Sequence, residues 1–191
     1  MTKVIGLISD THGLLRPEAL QALQGSAVII HAGDVGRPDV LGQLMAIAPV
    51  VAVRGNVDGG AWAASLPVAE SLTISGGHRL HVLHILGDLG IDPKAAGISA
   101  VIFGHTHQPL VEEKDGVLYV NPGSAGRRRF RLPIAIGELM VEGDSVTARI
   151  VEIDASPSRG AASRSGGAAS PSRGAASPSR GAASVRRSST S

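Results

Sequence analysis

The sequence predicts an α/β fold in which two β-sheets pack face to face with helices outside. Three observations carry this. The first 53 residues read as a β-α-β-α-β opening, the second half is rich in strands, and the apolar strands repeatedly end in Asp, Asn or His. A chain of 191 residues, 43% of them apolar, suits one domain with one core and an appendage.

The elements follow in order. Val4–Ser9 is a continuous apolar run, as a strand covered on both faces would be. Arg16–Leu23 has helical spacing, with Pro17 suited to a first turn. Ala27–His31 is a second buried strand, Pro38–Ala48 a second helix, and Val50–Val53 a third strand. Glu70–Ser75 and Arg79–His84 read as strands joined through Gly76-Gly77. Asp92–Gly97 is expected to form a short helix and Ala100–Phe103 another buried strand. Val117–Val120, Ile134–Val141 and Val146–Ile153 complete the β-rich end, with Gly143-Asp144 turning the last hairpin.

The net charge of +2 hides a split. Residues 1–154, the expected folded domain, carry −4, whereas residues 155–191 carry six arginines and no acid. That tail repeats Ser-Pro-Ser-Arg-Gly-Ala-Ala from Ser156, Ser170 and Ser177, with a degenerate copy at Ser163. Alanine is the only apolar residue in these units, too little to offset ordering entropy, so disorder is expected there. A coiled coil is excluded because no unit has a large apolar a/d pair. The absence of cysteine excludes disulfides and thiolate-bound metals. With Trp62, Phe103, Tyr119 and Phe130 as the only aromatics, a stacking platform for single-stranded nucleic acid is not expected. Nucleic acid would be held only weakly, by the basic tail. No run approaches the ~20 apolar residues of a membrane helix, and Val4–Ile8 is too short for a signal peptide core, so a cytoplasmic location is expected.

The chemistry collects after the strands. Asp10 and His12 follow the first, Asp34 the second and Asn56 the third; His84 closes a later strand, and His105 and His107 another. In open α/β sheets, sites form beyond the carboxyl ends of strands. Asp10/His12 and His105/His107 are i, i+2 pairs, which in extended backbone point to one side with Cα atoms roughly 6.5–7 Å apart. Imidazole and carboxylate without thiolate suit divalent transition metals. Seven ligands exceed one four-coordinate ion and match two if a carboxylate bridges.

Asp10-Thr-His12, Gly33-Asp34, Gly55-Asn56-Val-Asp58, His84 and Gly104-His105-Thr-His107 resemble, in order, the motifs of calcineurin-like metallophosphoesterases. Asn121-Pro-Gly-Ser124 is similar to the small YfcE-type phosphodiesterase subgroup. The resemblance covers about residues 1–153 and implies a four-layer α/β/β/α sandwich with two packed mixed β-sheets. It also implies two divalent metal ions, with Mn2+ expected and Ni2+, Zn2+, Fe or Mg2+ as alternatives. Asp10, His12, Asp34 and His107 would hold one, and Asp34, Asn56, His84 and His105 the other, with Asp34 bridging. Asp34, Asn56, His84 and His105 would be catalytic. The implied activity is a phosphoesterase, foremost a phosphodiesterase, attacking a small or nucleotide-like phosphate ester with a metal-bridging hydroxide. Two ions, two carboxylates and that hydroxide leave about +1, which attracts a phosphate.

Two positions depart from the family. Val57 stands where many relatives have a histidine that can protonate the leaving group, which favours good leaving groups. His84-Ile-Leu-Gly-Asp88 replaces a His-Gly-His, so Asp88 is either a substitute ligand or a loop acid. Asp58 either orients Asn56 or stabilises a turn. His31 is a hydrogen-bonded strand-end residue or supports the ligands. Ser124 and Arg127 are candidate substrate contacts, the latter in the basic cluster Arg127-Arg128-Arg129 and Arg131. Two rival functions remain: a weakly catalytic metal-binding scaffold like the retromer subunit of this fold, or a nuclease. Relatives associate as dimers or larger, so a homo-oligomer is left open.

Overall fold

A computed structural model describes residues 2–153. The domain boundary expected at 154 and the disorder expected for 155–191 lie outside the described residues.

The strands are β1 (Lys3–Ile8), β2 (Val28–His31), β3 (Val50–Ala52), β4 (Ala69–Thr73), β5 (Arg79–Leu83), β6 (Ile98–Ile102), β7 (Leu110–Lys114), β8 (Val117–Asn121), β9 (Ala135–Glu142) and β10 (Ser145–Glu152). The helices are α1 (Pro17–Ala22), α2 (Pro38–Met45) and α3 (Gly60–Ala64). One sheet runs β10-β9-β1-β2-β3 and the other β4-β5-β6-β8-β7. Both are mixed. In the first, β1, β2 and β3 are parallel, β9 is antiparallel to β1, and β10 is antiparallel to β9. In the second, β5, β6 and β8 are parallel, flanked by antiparallel β4 and β7.

Alternation along the strands builds the layers. Ile5 and Leu7 of β1, Ile30 of β2, Leu80 and Val82 of β5, Ala100 and Ile102 of β6 and Val120 of β8 meet between the sheets. Their neighbours Ile8 and Ile29 face the other way, onto Ala19 and Leu23 around α1 and Val40, Leu41 and Leu44 of α2. Both helices begin on a proline after an extended arginine, where the missing N–H costs nothing. The outer face of the second sheet is covered more thinly. Val101, Phe103 and Leu83 pack against Leu86, Leu89 and Ala96, which lie in turns.

The helix expected at Asp92–Gly97 is therefore a run of turns. Asp92 Oδ1 accepts the Ala95 N–H, Gly97 takes a φ of 66°, and the Ile98 N–H bonds to the Pro93 carbonyl, which closes the segment before a helical ladder forms. β7 and α3 go beyond the sequence expectations. β7 is exposed along its length and pairs only with β8, so Glu112-Glu113-Lys114 reads as a loop. Among the described residues, no helix is long and apolar enough to cross a membrane.

Candidate metal centre

The parallel strands of both sheets deliver the seven expected ligands to one place. β1 leads into Asp10 and His12, β2 into Asp34, β3 into Asn56, β5 into His84, and β6 into His105 and His107. The backbone turns sharply after these strands. Asp10, His12, Asp34, His105 and His107 all have left-handed φ, between 47° and 70°. Such a conformation costs on the order of 1 kcal/mol or more at each non-glycine residue, so the surrounding bonds must enforce it. Those bonds continue the ladder beyond β1 and β2: Asp10 N donates to Gly33 O, His12 N to Asp34 O and Gly13 N to Val35 O.

Each aspartate has one oxygen tied to protein and the other turned inward. Asp10 Oδ2 accepts the Ser9 hydroxyl at 2.7 Å and the His105 N–H at 3.1 Å. Asp10 Oδ1 is buried without a hydrogen-bond partner, 3.2 Å from His107 Nε2 and 3.9 Å from His12 Nε2. Asp34 Oδ1 accepts the Val57 N–H at 3.0 Å, while Oδ2 lies 3.8 Å from His12 Nε2 and 3.4 Å from His84 Nε2. The His12 and His107 rings stack, with their Nε2 atoms 3.2 Å apart. Asn56 Oδ1 is 3.1 Å from His84 Nε2 and 3.0 Å from His105 Nδ1.

His84 donates Nδ1–H to the Ala32 carbonyl at 2.7 Å, which leaves the Nε2 lone pair facing Asp34 and Asn56. A buried carboxylate oxygen without a hydrogen-bond partner, amid imidazole nitrogens and amide and carboxylate oxygens 3.0–3.9 Å apart, fits divalent cations. Two groups, Asp10/His12/His107 and Asp10/Asp34/His84, have ligand atoms close enough for one ion each.

Burial alone would lower the His84 pKa, but hydrogen bonding to Asp34 and Ala32 and the nearby carboxylates outweigh it and raise it. Burial would raise Asp34, yet His84, the Val57 N–H and His12 hold it below the ordinary carboxylate value. At His12, burial wins over Asp34 and Asp10 and lowers the pKa. The carboxylates thus draw positive charge into the pocket, and the lowered pKa of His12 favours the neutral ring that a metal ligand needs.

The supporting residues sort themselves by contact. Asp58 does not touch the Asn56 side chain through any hydrogen bond. Its carboxylate accepts the N–H groups of Val35 at 3.1 Å, Gly36 at 2.7 Å and Gly55 at 2.8 Å, clamping the Asp34 loop to the Asn56 loop. Ser124 is buried and donates to the Asp10 carbonyl at 2.9 Å, so it shapes the first ligand turn. Asn121 fixes the histidine loop by donating to Gly104 O and Thr106 Oγ1. His31 is fully buried beside the Thr11 hydroxyl at 3.0 Å, and that hydroxyl donates to Val35 O. Burial pushes the His31 pKa down to about 4, so it is neutral.

Arg127 is exposed; the arginine that reaches the centre is Arg129, with Nη2 3.4 Å from His12 Nε2. The buried roles of Ser9 and Thr11 escaped sequence reasoning, their one signal being adjacency to Asp10. Two glycines allow the close approach. A Cβ on Gly55 would fall onto Asp34 N and Oδ1, and one on Gly104 onto Ser9 Oγ and within 2.7 Å of Asp10 Oδ2. Beside Asn56 and His84 opens a cavity of about 400 Å³ that Arg54, Val68, Ile85 and Asp88 also line. Asp88 forms no part of the ligand cluster.

Residues 4–144 match the calcineurin-like phosphoesterase superfamily domain. A probable metallophosphoesterase of Methanothermobacter thermautotrophicus is 33% identical over 171 residues, covering 82% of this chain and 96% of that protein. The structure of an archaeal phosphodiesterase superposes with a TM-score of 0.65 at 26% identity, over 78% of this chain and 99% of the other. Two further structures share the fold: YfcE, a phosphoesterase from E. coli (TM-score 0.55, 22% identity, 79% and 100% covered), and Chaetomium thermophilum Vps29 (0.64, 18%, 78% and 97%).

Proposed function

The chain belongs to the calcineurin-like phosphoesterase superfamily and is a phosphoester hydrolase; from that premise we propose that it is a phosphodiesterase of the YfcE type working with two divalent ions. The observation that carries the two-ion reading is Asp34. Its Oδ2 faces His12 on one side and His84 on the other, the position a shared ligand needs. Asp10, His12, Asp34 and His107 would hold one ion, and Asp34, Asn56, His84 and His105 the second, with manganese the first choice. When bound, such a pair supplies Lewis-acid stabilisation of the phosphoryl oxygens and a hydroxide nucleophile near neutral pH.

The chain's own groups do the rest. With two divalent ions held there, two carboxylates and five neutral ligands would leave the centre net positive, which would draw in a phosphate ester. The Ser9, His105 and Val57 donors hold Asp10 and Asp34 so that only their inner oxygens face the site. Val57 offers a backbone N–H to Asp34 but an aliphatic side chain to solvent, so it cannot protonate a leaving group. Substrates whose leaving group departs as a stable anion are favoured. The likeness to Vps29 extends to the fold, and the intact ligand set supports an enzyme over a scaffold.

The test is hydrolysis of bis(p-nitrophenyl) phosphate with added manganese, beside the monoester p-nitrophenyl phosphate. Faster diester turnover is expected, falling at least 100-fold in Asp34→Asn. No turnover with any of Mn2+, Ni2+, Zn2+, Fe2+ or Mg2+, and no metal retained on reconstitution, would favour the scaffold.

A further inference from the structure

The segment between Ser124 and Ile134 carries features that the metal centre leaves unused. Its two ends are joined by an isolated bridge, and its start is moored to the first ligand turn through the Ser124 hydroxyl and to the start of α1 through Arg16, whose Nε donates to Gly126 O at 2.9 Å. Its tip is closed by the Leu132 N–H on Arg129 O at 3.1 Å and by Arg128 Nη1 on Leu132 O at 3.3 Å. The tip holds Arg127, Arg128, Arg129 and Arg131 and no acid.

Within this basic tip, Arg129 points at the centre, its Nη2 3.4 Å from His12 Nε2. The next residue is Phe130, whose Cα is therefore ~3.8 Å from that of Arg129. Phe130 is 93% exposed, the most exposed large apolar residue among those described, and it holds a left-handed φ of 54°. A left-handed φ is unfavourable for a bulky residue, and the backbone that holds it leaves the phenyl in solvent next to a cluster of arginines. A ligand with a planar ring and an anionic group would use both side chains: the ring stacks on Phe130 while the guanidinium meets the anion.

We propose that Arg129 and Phe130 form a subsite for the ester group that stays on phosphorus, and that this group carries an aromatic ring, as a nucleoside ester does. The inference rests on the phosphodiesterase reading above and narrows its substrate to nucleotide-type diesters. Arg129 contacts the phosphoryl group from the His12 side, and the adjacent ring takes the group that remains bonded to it in both substrate and product. One ring accommodates one base, so a long single strand is not the ligand implied.

Two probes with the same leaving group separate this subsite from the chemistry: thymidine 5′-(p-nitrophenyl) phosphate and methyl p-nitrophenyl phosphate. Wild type is expected to prefer the thymidine ester about tenfold in kcat/KM, through KM, in line with stacking of one base. Phe130→Ala should abolish the preference and leave methyl-ester turnover within about twofold; Phe130→Trp should retain it. Arg129→Ala should weaken both substrates. Thymidine 5′-monophosphate should inhibit wild type more strongly than methyl phosphate, and Phe130→Ala should erase that difference. Equal use of both probes by wild type, or an equal loss for both in Phe130→Ala, overturns the subsite while leaving the phosphodiesterase intact. Failure of every variant and wild type on both probes overturns the phosphodiesterase reading, and the subsite with it.

Discussion

Asp58 offers the sharpest test of how this centre is held together. Its two oxygens accept three backbone N–H groups, from Val35, Gly36 and Gly55, and so join the loop bearing Asp34 to the loop bearing Asn56. Hydrogen bonds to a charged acceptor contribute about 1.5–3 kcal/mol each, and a buried donor left unpaired costs about 1–3 kcal/mol. In Asp58→Asn the amide oxygen can keep the Val35 and Gly55 bonds, at neutral strength. The new NH2 then faces the Gly36 N–H, donor against donor. The expected loss is about 2–4 kcal/mol in urea unfolding of the metal-free protein, with an unchanged m-value. A second reading comes from metal titration. Because the clamp sets the spacing of Asp34 and Asn56, affinity for manganese should fall about 10–100-fold, the usual effect of removing an outer-shell partner. An Asp58→Asn protein within about 1 kcal/mol of wild type and with unaltered manganese affinity would refute the clamp.

Further outcomes follow from other contacts. Gly104→Ala would drive a methyl group into Ser9 Oγ and Asp10 Oδ2, so at least a tenfold loss of metal affinity is expected by titration calorimetry. Gly42→Ala, where a Cβ on α2 meets nothing, should instead raise stability by about 0.5–1 kcal/mol. For His31 the folded pKa of about 4 lies below the unfolded 6.5, so its neutral form favours folding fully above pH 6.5 and that stability is lost as pH falls toward 4. At 1.36 kcal/mol per pKa unit the loss is ~3 kcal/mol, and His31→Gln, which keeps a donor for Thr11, should flatten the acid limb by that amount in urea melts from pH 7 to 4. Removing residues 155–191 should leave turnover of a small diester within about twofold at 0.15 M salt; a larger drop would give the basic tail a part in catalysis.

Some of this protein was legible without coordinates because chemistry and spacing are local. Asp and His two residues apart after an apolar run, a glycine before Asp34, Asn56 and His105, and a basic cluster beyond Ser124 are all statements about neighbours in the chain. The buried strands β1, β2 and β6 were equally readable, since burial on both faces leaves a nearly continuous apolar run, and β5 was readable from the Gly76-Gly77 turn before it. β7 was not, because an edge strand is defined by its partner rather than by its own residues. Asp92–Gly97 misled because an Asp-Pro start resembles a helix N-terminus, while the Ile98 N–H bond back to Pro93 O that ends it belongs to the fold.

What the sequence by itself determined is the inventory: seven candidate oxygen and nitrogen ligands, no thiolate, and strand ends to carry them. What only the tertiary structure decided is how those atoms face one another. His105 uses Nδ1 where His12, His84 and His107 use Nε2, Asp34 turns one oxygen between two histidines, and Asp58 ties two loops together. Arg129 and not Arg127 reaches His12. Apart from the local Gly55–Asp58 bond, these contacts join residues between 22 and 117 positions apart. Their geometry follows from sheet register and from left-handed turns that packing enforces against local preference, and no pattern along the chain records either.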